Sequence, residues 1–317
     1  MSRAFVFPGQ GAQQVGMGKA LAEAYPAAKA VFEEVDEALG EKLSQLIWEG
    51  DQEALTLTEN AQPALMATSL AAVKALESEG IRIADAAFVA GHSLGEYSAL
   101  AAAGALTIAD TARLLRIRGR AMQEAVPVGV GAMAAILGLD IETVEAVAAT
   151  AVSQIASETG EDLVCEVAND NDPSQVVVSG HKAAVERACV IAKERGAKRA
   201  VMLPVSAPFH CSLMKPAAEA MARALAEVSI VRPAVPLVAN VCARAVRDPA
   251  TIRSLLVEQV TGRVRWRESV IFMVEEGVSE FIETGAGKAL CGMIRRISKE
   301  SACRPAGKPE DIAALRG

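Results

Sequence analysis

The sequence predicts a helix-rich α/β fold in which a mostly parallel sheet is covered by helices and a smaller βαββαβ unit is inserted. Three observations predict it. Strand-like apolar runs alternate with segments of helical periodicity from the first residues onward. That alternation breaks in the middle third, where two strand-like runs follow one another between two helical segments. The composition agrees: 51% of the 317 residues are hydrophobic, ample for a buried core. Aromatics are only 3% and alanine is abundant, which favours helices over an all-β module.

Residues 4–7 read as the first strand, followed by a Gly/Gln-rich loop and a helix from about 17 to 39. A second long helix spans 62–79, a buried strand 86–90, and helices 94–103 and 109–124 follow. After Val126-Pro127 and a glycine-rich turn come strand 132–139, helix 140–157, strands 163–167 and 175–179, helix 181–195 and strand 199–205. This β-α-β-β-α-β order is the ferredoxin-like arrangement. The expected division is therefore a large unit of residues 1–127 and 202–302, with a small unit of 128–201 inserted in it. Strands near 237–241 and 280–283 return the chain to the large sheet. Residues 303–317, rich in Pro, Gly and charge, read as a loose tail.

Charged residues make up 22% with a net charge of -7, which argues against a nucleic-acid partner. The six cysteines are scattered and never spaced as CxxC, so neither a disulfide framework nor a metal site is expected. No apolar run is long enough to cross a bilayer, and the first residues lack the apolar stretch of a signal peptide. A protein of the reducing cytoplasm is the expectation, with no membrane partner.

The strongest local signal is Gly91-His92-Ser93-Leu94-Gly95, between the strand at 86–90 and a helix. Strand, tight turn and helix are the context in which G-x-S-x-G raises a nucleophilic serine above a sheet. The helix that follows directs free N–H groups and its positive dipole end toward the hydroxyl. A serine needs a base, and there are three histidines. His92 adjoins the serine and should point away; His181 opens a helix and reads as a solvent-facing cap. That leaves His210, in a loop whose path Pro204 and Pro208 fix. No acid stands out to orient it; Asp248 and Glu258 remain open. In the first loop, Phe7-Pro-Gly9-Gln10-Gly11-Ala-Gln13, the spacing fits neither GxGxxG nor a P-loop. It reads better as backbone N–H groups presented beside the serine, an oxyanion hole.

Helix 109–124 carries Arg113, Arg116, Arg118 and Arg120. Helical phase groups three of them on one side and sets Arg118 within the apolar stripe of Leu114, Leu115 and Met122. A guanidinium there keeps its proton and needs an anion. Two anions are open: an internal carboxylate, or the carboxylate of a substrate held by a bidentate fork.

Together these residues resemble the malonyl-CoA:acyl carrier protein transacylase family, related to the acyltransferase domains of fatty-acid and polyketide synthases. The motifs are FPGQG at 7–11, QPA at 62–64, GHSLGE at 91–96, RG at 118–119, PFHC at 208–211, LMKPA at 213–217 and GAGKAL at 285–290. The resemblance runs to about Lys299. It implies an α/β-hydrolase-like large subdomain with a ferredoxin-like insert, Ser93 as nucleophile and His210 as base. It implies that the main-chain carbonyl of Gln259 orients His210 and that the N–H groups of Gln10 and Leu94 form the oxyanion hole. Arg118 would bind the malonyl carboxylate, with Gln62, Met122, Asn169 and Phe209 lining the substrate pocket. Ala12 departs from the serine that many members carry.

The activity so implied is ping-pong transfer of malonyl from malonyl-CoA to the pantetheine of holo acyl carrier protein. It needs no cofactor, and a monomer is expected. Polyketide rather than fatty-acid service, a serine hydrolase or thioesterase on the same elbow, and a non-catalytic carrier-protein scaffold are the alternatives. Lys182, Lys193, Lys198 and Arg199 are candidates for attracting an acidic carrier.

Overall fold

The computed structural model describes residues 2–205 and 207–316. Met1, Ser206 of the histidine loop and Gly317 of the tail, all within segments read above, lie outside the described residues. The described residues form ten strands: β1 (Ser2–Phe7), β2 (Phe88–Gly91), β3 (Gly131–Leu137), β4 (Cys165–Asp172), β5 (Gln175–His181), β6 (Arg199–Met202), β7 (Leu237–Ala239), β8 (Arg244–Val246), β9 (Val278–Thr284) and β10 (Ala302–Ala306). They form two sheets, a six-stranded one in the order β10-β9-β1-β2-β7-β8 and a four-stranded one in the order β4-β5-β3-β6.

The large sheet is parallel except for the antiparallel edge pair β7 and β8. Both its faces are buried, so β1 splits its side chains by alternation. Phe5 and Phe7 enter the main core with the helices Thr58–Ser78 and Ile108–Glu124. Ala4 and Val6 face Trp266, Val270 and Phe281 on the other side. The small sheet is antiparallel throughout. One of its faces packs on the helices Ile141–Thr159 and Lys182–Glu194. The other presents Met133, Ala135 and Val177 to the main core.

Two helix contacts set up the site. Pro63 lies inside the helix Thr58–Ser78, so the carbonyl of Glu59 loses its usual partner one turn on. Arg116 Nη1 takes that carbonyl at 2.8 Å. On the facing helix a Cβ at Gly119 would lie 2.6 Å from Glu59 Cα. Only glycine permits so close a crossing, and the crossing puts Arg118 against Gln62.

Four expectations need correction. The single helix from 17 to 39 is two, Lys19–Ala24 and Pro26–Leu39, because Pro26 cannot continue the first and starts the second at its N1 position. The tail is ordered: β10 pairs in parallel with β9, and the helix Pro309–Leu315 buries Ile312 and Leu315. Pro305 is compatible with a strand because β10 is an edge. Third, Cys291 and Cys303 form a disulfide, twelve residues apart in sequence. Their spacing gave no sign of it, because the packing of the helix Ala289–Ile297 against β10 brings them together. Cys165, Cys189, Cys211 and Cys242 are free. Fourth, His181 stands at the N-cap of the helix Lys182–Glu194 but its side chain makes no cap bond. Its Nδ1 accepts the N–H of Val164 at 2.9 Å.

Candidate active site

The elbow follows β2 and precedes the helix Gly95–Ala102. A Cβ on Gly91 would fall 1.9 Å from the carbonyl carbon of Gly95, and one on Gly95 would fall 2.2 Å from Phe7 O. The turn is therefore closed to any larger residue at either position. Ser93 adopts φ 54° and His210 φ 57°, strained left-handed conformations that the surrounding packing must hold. Asn240, at the end of β7, supplies part of that hold. Its Oδ1 accepts the N–H of Ser93 at 2.8 Å and its Nδ2 donates to Gly91 O at 2.6 Å.

Ser93 Oγ lies 2.7 Å from His210 Nε2, and His210 Nδ1 lies 2.9 Å from the main-chain oxygen of Gln259. A carbonyl only accepts, so Nδ1 carries the proton and Nε2 is left to accept from the serine. Burial, and then the neighbouring Arg118 cation, push the His210 pKa down to about 3, against the Gln259 bond that favours protonation. At neutral pH the imidazole is a neutral acceptor. The two acids left open above do not serve it: Asp248 caps the helix Pro249–Thr261 through Thr251, and Glu258 makes no bond to the imidazole. His92 turns away from the serine, as expected, with Nε2 2.8 Å from Asn171 Oδ1.

Arg118 is 1% exposed. Its Nη1 donates to Gln62 Oε1 at 2.9 Å, and its Nη2 donates to Gln259 Oε1 at 2.9 Å and Ser93 Oγ at 3.1 Å. Every one of these acceptors is neutral. No carboxylate among the described residues lies within ion-pairing distance of it, so the internal-carboxylate alternative finds no partner. Nε is buried without a hydrogen-bond partner, and the guanidinium lies 5.7 Å from the Tyr97 ring centroid. Arg116, on the side of the helix that carries Arg113 and Arg120, is also buried, and pairs with Glu41.

A cavity of about 340 Å³ opens on Ser93. Gln10, Gln62, Leu94, Arg118, Met122, Asn169, Phe209 and His210 all line it, joined by Met133 of the small sheet. The structure thus brings every candidate site residue to one place except Gln259, which stands behind His210 and Arg118. Asn169 arrives through β4, which also bridges to Val264. Asp170 and Asp172 on the same strand pair with Arg267 and Arg296. Lys182, Lys193, Lys198 and Arg199 line no part of the cavity, although β6 leads through Leu203 and Pro204 to its wall. Cys211, adjacent to His210, is no rival nucleophile: its thiol donates to Pro208 O and burial pushes its pKa to about 11.

Sequence reasoning missed Asn240 and Glu96. Glu96 is 1% exposed, and burial pushes its carboxyl up to about 7. Its position in the GHSLGE run was visible, but a glutamate in the first turn of a helix ordinarily faces water. Asn240 carried no signal, since it lies in the turn that follows β7, a strand of only three residues.

Residues 4–305 match the family described as the acyl transferase domain. The chain is 48% identical over 310 residues to a malonyl CoA-acyl carrier protein transacylase of Bacillus subtilis, covering 98% of this chain and 94% of that protein. The crystal structure of an acyl-carrier-protein-S-malonyltransferase from Bartonella henselae superposes with a TM-score of 0.94 at 54% identity, covering 99% of this chain and 98% of that one. A malonyl-transacylase solved in complex with its type II PKS acyl-carrier protein superposes with a TM-score of 0.93 at 40% identity, covering 99% and 98%. With identity at this level over nearly its whole length, the chain belongs to the malonyl CoA-acyl carrier protein transacylases, within the acyl transferase domain family.

Proposed function

We propose that this chain transfers a malonyl group from malonyl-CoA to the pantetheine thiol of holo acyl carrier protein, through an ester on Ser93, for fatty-acid synthesis. The observation that carries the reading is a serine–imidazole pair beside a buried cation that has only neutral partners. A hydrolase of neutral esters has no use for such a cation, whereas a malonyl group brings the anion it lacks.

In the first half-reaction His210 Nε2 takes the Ser93 proton as Oγ attacks the thioester carbonyl. The N–H groups of Gln10 and Leu94 stabilise the oxyanion, and the Nε2 proton passes to departing coenzyme A. In the second, the same Nε2 takes the proton of the carrier thiol as sulfur attacks the ester, then returns it to Ser93 Oγ. Gln259 O holds the imidazole through Nδ1–H in both. Arg118 binds the malonyl carboxylate, while Gln62, Met122, Asn169 and Phe209 shape the pocket. The chain's own residues supply every group these steps need, so no cofactor or metal enters.

The strand order of the small sheet supports a ferredoxin-like insert of residues 128–201. The mostly parallel sheet with its serine elbow supports an α/β-hydrolase-like subdomain of 1–127 and 202–302. The reading includes a monomer in the cytoplasm; no helix among the described residues is long and apolar enough to cross a membrane. The test is intact-mass measurement after mixing with malonyl-CoA and with acetyl-CoA, followed by addition of holo carrier protein. A malonyl adduct on Ser93 that moves to the carrier is expected. An adduct released only as free acid would mark a hydrolase, and no adduct at all a scaffold.

A further inference from the structure

Behind the cavity lies a second polar network that the proposed steps do not use. Glu96 stands in the first turn of the helix Gly95–Ala102, three residues after the nucleophile. Its Oε2 accepts the main-chain N–H of Asn240 at 3.0 Å and the side-chain amide of Gln259 at 2.9 Å. The same Gln259 Nε2 donates to Ser93 O at 3.0 Å, while Gln259 Oε1 accepts from Arg118 Nη2 at 2.9 Å. Glu96 Oε1 is buried without a partner.

A glutamine amide has one end that donates and one that accepts. Turned over, the Gln259 amide would set its NH2 against the guanidinium, two donors in contact, and its oxygen against three acceptors, Glu96 Oε2, Ser93 O and Asn240 Oδ1. We propose that Glu96 is a positioning residue that, as the only charge-bearing acceptor beside Ser93 O and Asn240 Oδ1, contributes most to the orientation of the Gln259 amide, so that Arg118 stays set for a carboxylated acyl group. The inference rests on the reading of Arg118 as the partner of the malonyl carboxylate. Gln62, the other amide on Arg118, lacks any such anchor; its Nε2 meets only Met122 Sδ at 3.7 Å, a weak acceptor. The Gln259 contact is therefore the one whose direction the protein determines. Because Glu96 rides on the elbow helix, it also ties the position of the cation to that of the nucleophile. Oε2 accepts whether or not Oε1 carries a proton, more strongly when ionised, so the orienting action needs the oxygen and does not vanish with the charge.

The readout is the ratio of Ser93 acylation rates with malonyl-CoA and acetyl-CoA, followed by intact mass. Glu96→Leu should lower that ratio roughly ten- to a hundredfold, as expected for losing the orientation of one hydrogen bond to a charged group. Glu96→Gln, which keeps an oxygen facing Asn240 and Gln259, should hold the ratio within about threefold, a change near the limit of what such contacts decide. In a Gln259→Leu background, Glu96→Leu should lower the ratio no further, since the two act through one contact. Should Glu96→Leu fail to fold, Gln259→Leu alone must lower the ratio. An unchanged ratio in Glu96→Leu, a Glu96→Gln as impaired as Glu96→Leu, or additive effects in the double variant would each overturn the inference. Arg118→Ala separates the two levels. If it leaves the ratio intact, the reading of Arg118 fails and this inference with it. If it collapses the ratio while Glu96→Leu does not, this inference fails alone.

Discussion

Replacing Arg118 by alanine is the most discriminating perturbation the structure offers. The guanidinium is 1% exposed and its acceptors are the oxygens of Gln62, Gln259 and Ser93. Losing the paired charge should therefore cost a malonyl donor on the order of 2–5 kcal/mol. That is roughly a thirty- to several-thousandfold drop in the rate of Ser93 acylation. Acetyl-CoA has no carboxylate to lose and should fall much less, or gain, because a buried cation no longer opposes a neutral acyl group. Stability supplies the control. Breaking a buried ion pair typically costs about 3–5 kcal/mol by stranding the partner, and here no carboxylate is stranded. The melting temperature should fall less than a stranded carboxylate would make it, since only the neutral oxygens of Gln62 and Gln259 lose their donor. Acylation rates with both donors, read by intact mass beside a thermal melt, make the assay. Equal losses for the two donors together with a large fall in melting temperature would refute the reasoning.

Ser93→Ala should give no acyl adduct while keeping its fold; an undiminished adduct would move the nucleophile elsewhere. His210→Ala should slow acylation and deacylation together, since one imidazole serves both, whereas His181→Ala should change neither; pre-steady-state kinetics of each half-reaction checks this. With its pKa pushed down to about 3, His210 should keep acylation level well below the ordinary histidine range, the rate falling only as pH approaches that value. A fall centred near 6.5 would mean that the imidazole is solvated in solution. The same groups shape stability. His210 binds a proton more readily when unfolded, so its contribution falls as pH drops from its unfolded value of 6.5 toward 3. Glu96 is the reverse, its contribution full below 4.5 and lost as pH rises through about 7. Between 4.5 and 6.5 the two oppose each other. Glu96→Gln should expose the histidine slope, about 1.4 kcal/mol per pH unit at most, and an unaltered pH dependence in urea melts would contradict it.

Much of this was legible in the sequence because the chemistry needed is local. Gly91, Ser93 and Gly95 share one turn, and the turn's sterics demand those glycines whatever the rest of the chain does. Arg118 could be singled out because helical phase alone set it among Leu114, Leu115 and Met122. The parallel sheet followed from alternation, and β4 and β5 from two adjoining apolar runs. What escaped depends on contacts between residues far apart in the chain. Gln259 and Glu96 are 163 positions apart, and Asn240 reaches Ser93 across 147. The tail escaped because Pro and Gly at 305–309 signal a loop, whereas the edge strand β10 accepts Pro305 and Pro309 starts a helix at its N1 position. The disulfide escaped because Cys291 and Cys303 sit on a helix and a strand whose packing decides their proximity.

The use of a carbonyl rather than a carboxylate behind His210 follows from the neighbouring cation. Gln259 touches both groups, His210 through its main chain and Arg118 through its side chain. An aspartate in its place would set a permanent negative charge beside the guanidinium, worth about 4 kcal/mol at 4 Å with an effective dielectric near 20. Such a pair would satisfy Arg118 internally and compete with the malonyl carboxylate for it. It would also raise the imidazole pKa by favouring the protonated form. A neutral carbonyl fixes the tautomer without either effect. Glu96, whose carboxyl enters the electrostatics of Arg118, is held off by the intervening amide and has its own pKa raised to about 7. Its negative charge is thereby weakened where a full one would neutralise the site. On the proposed reading, nucleophile, base and cation form one arrangement in which every permanent contact to Arg118 is neutral, and the anion that completes it arrives with the substrate.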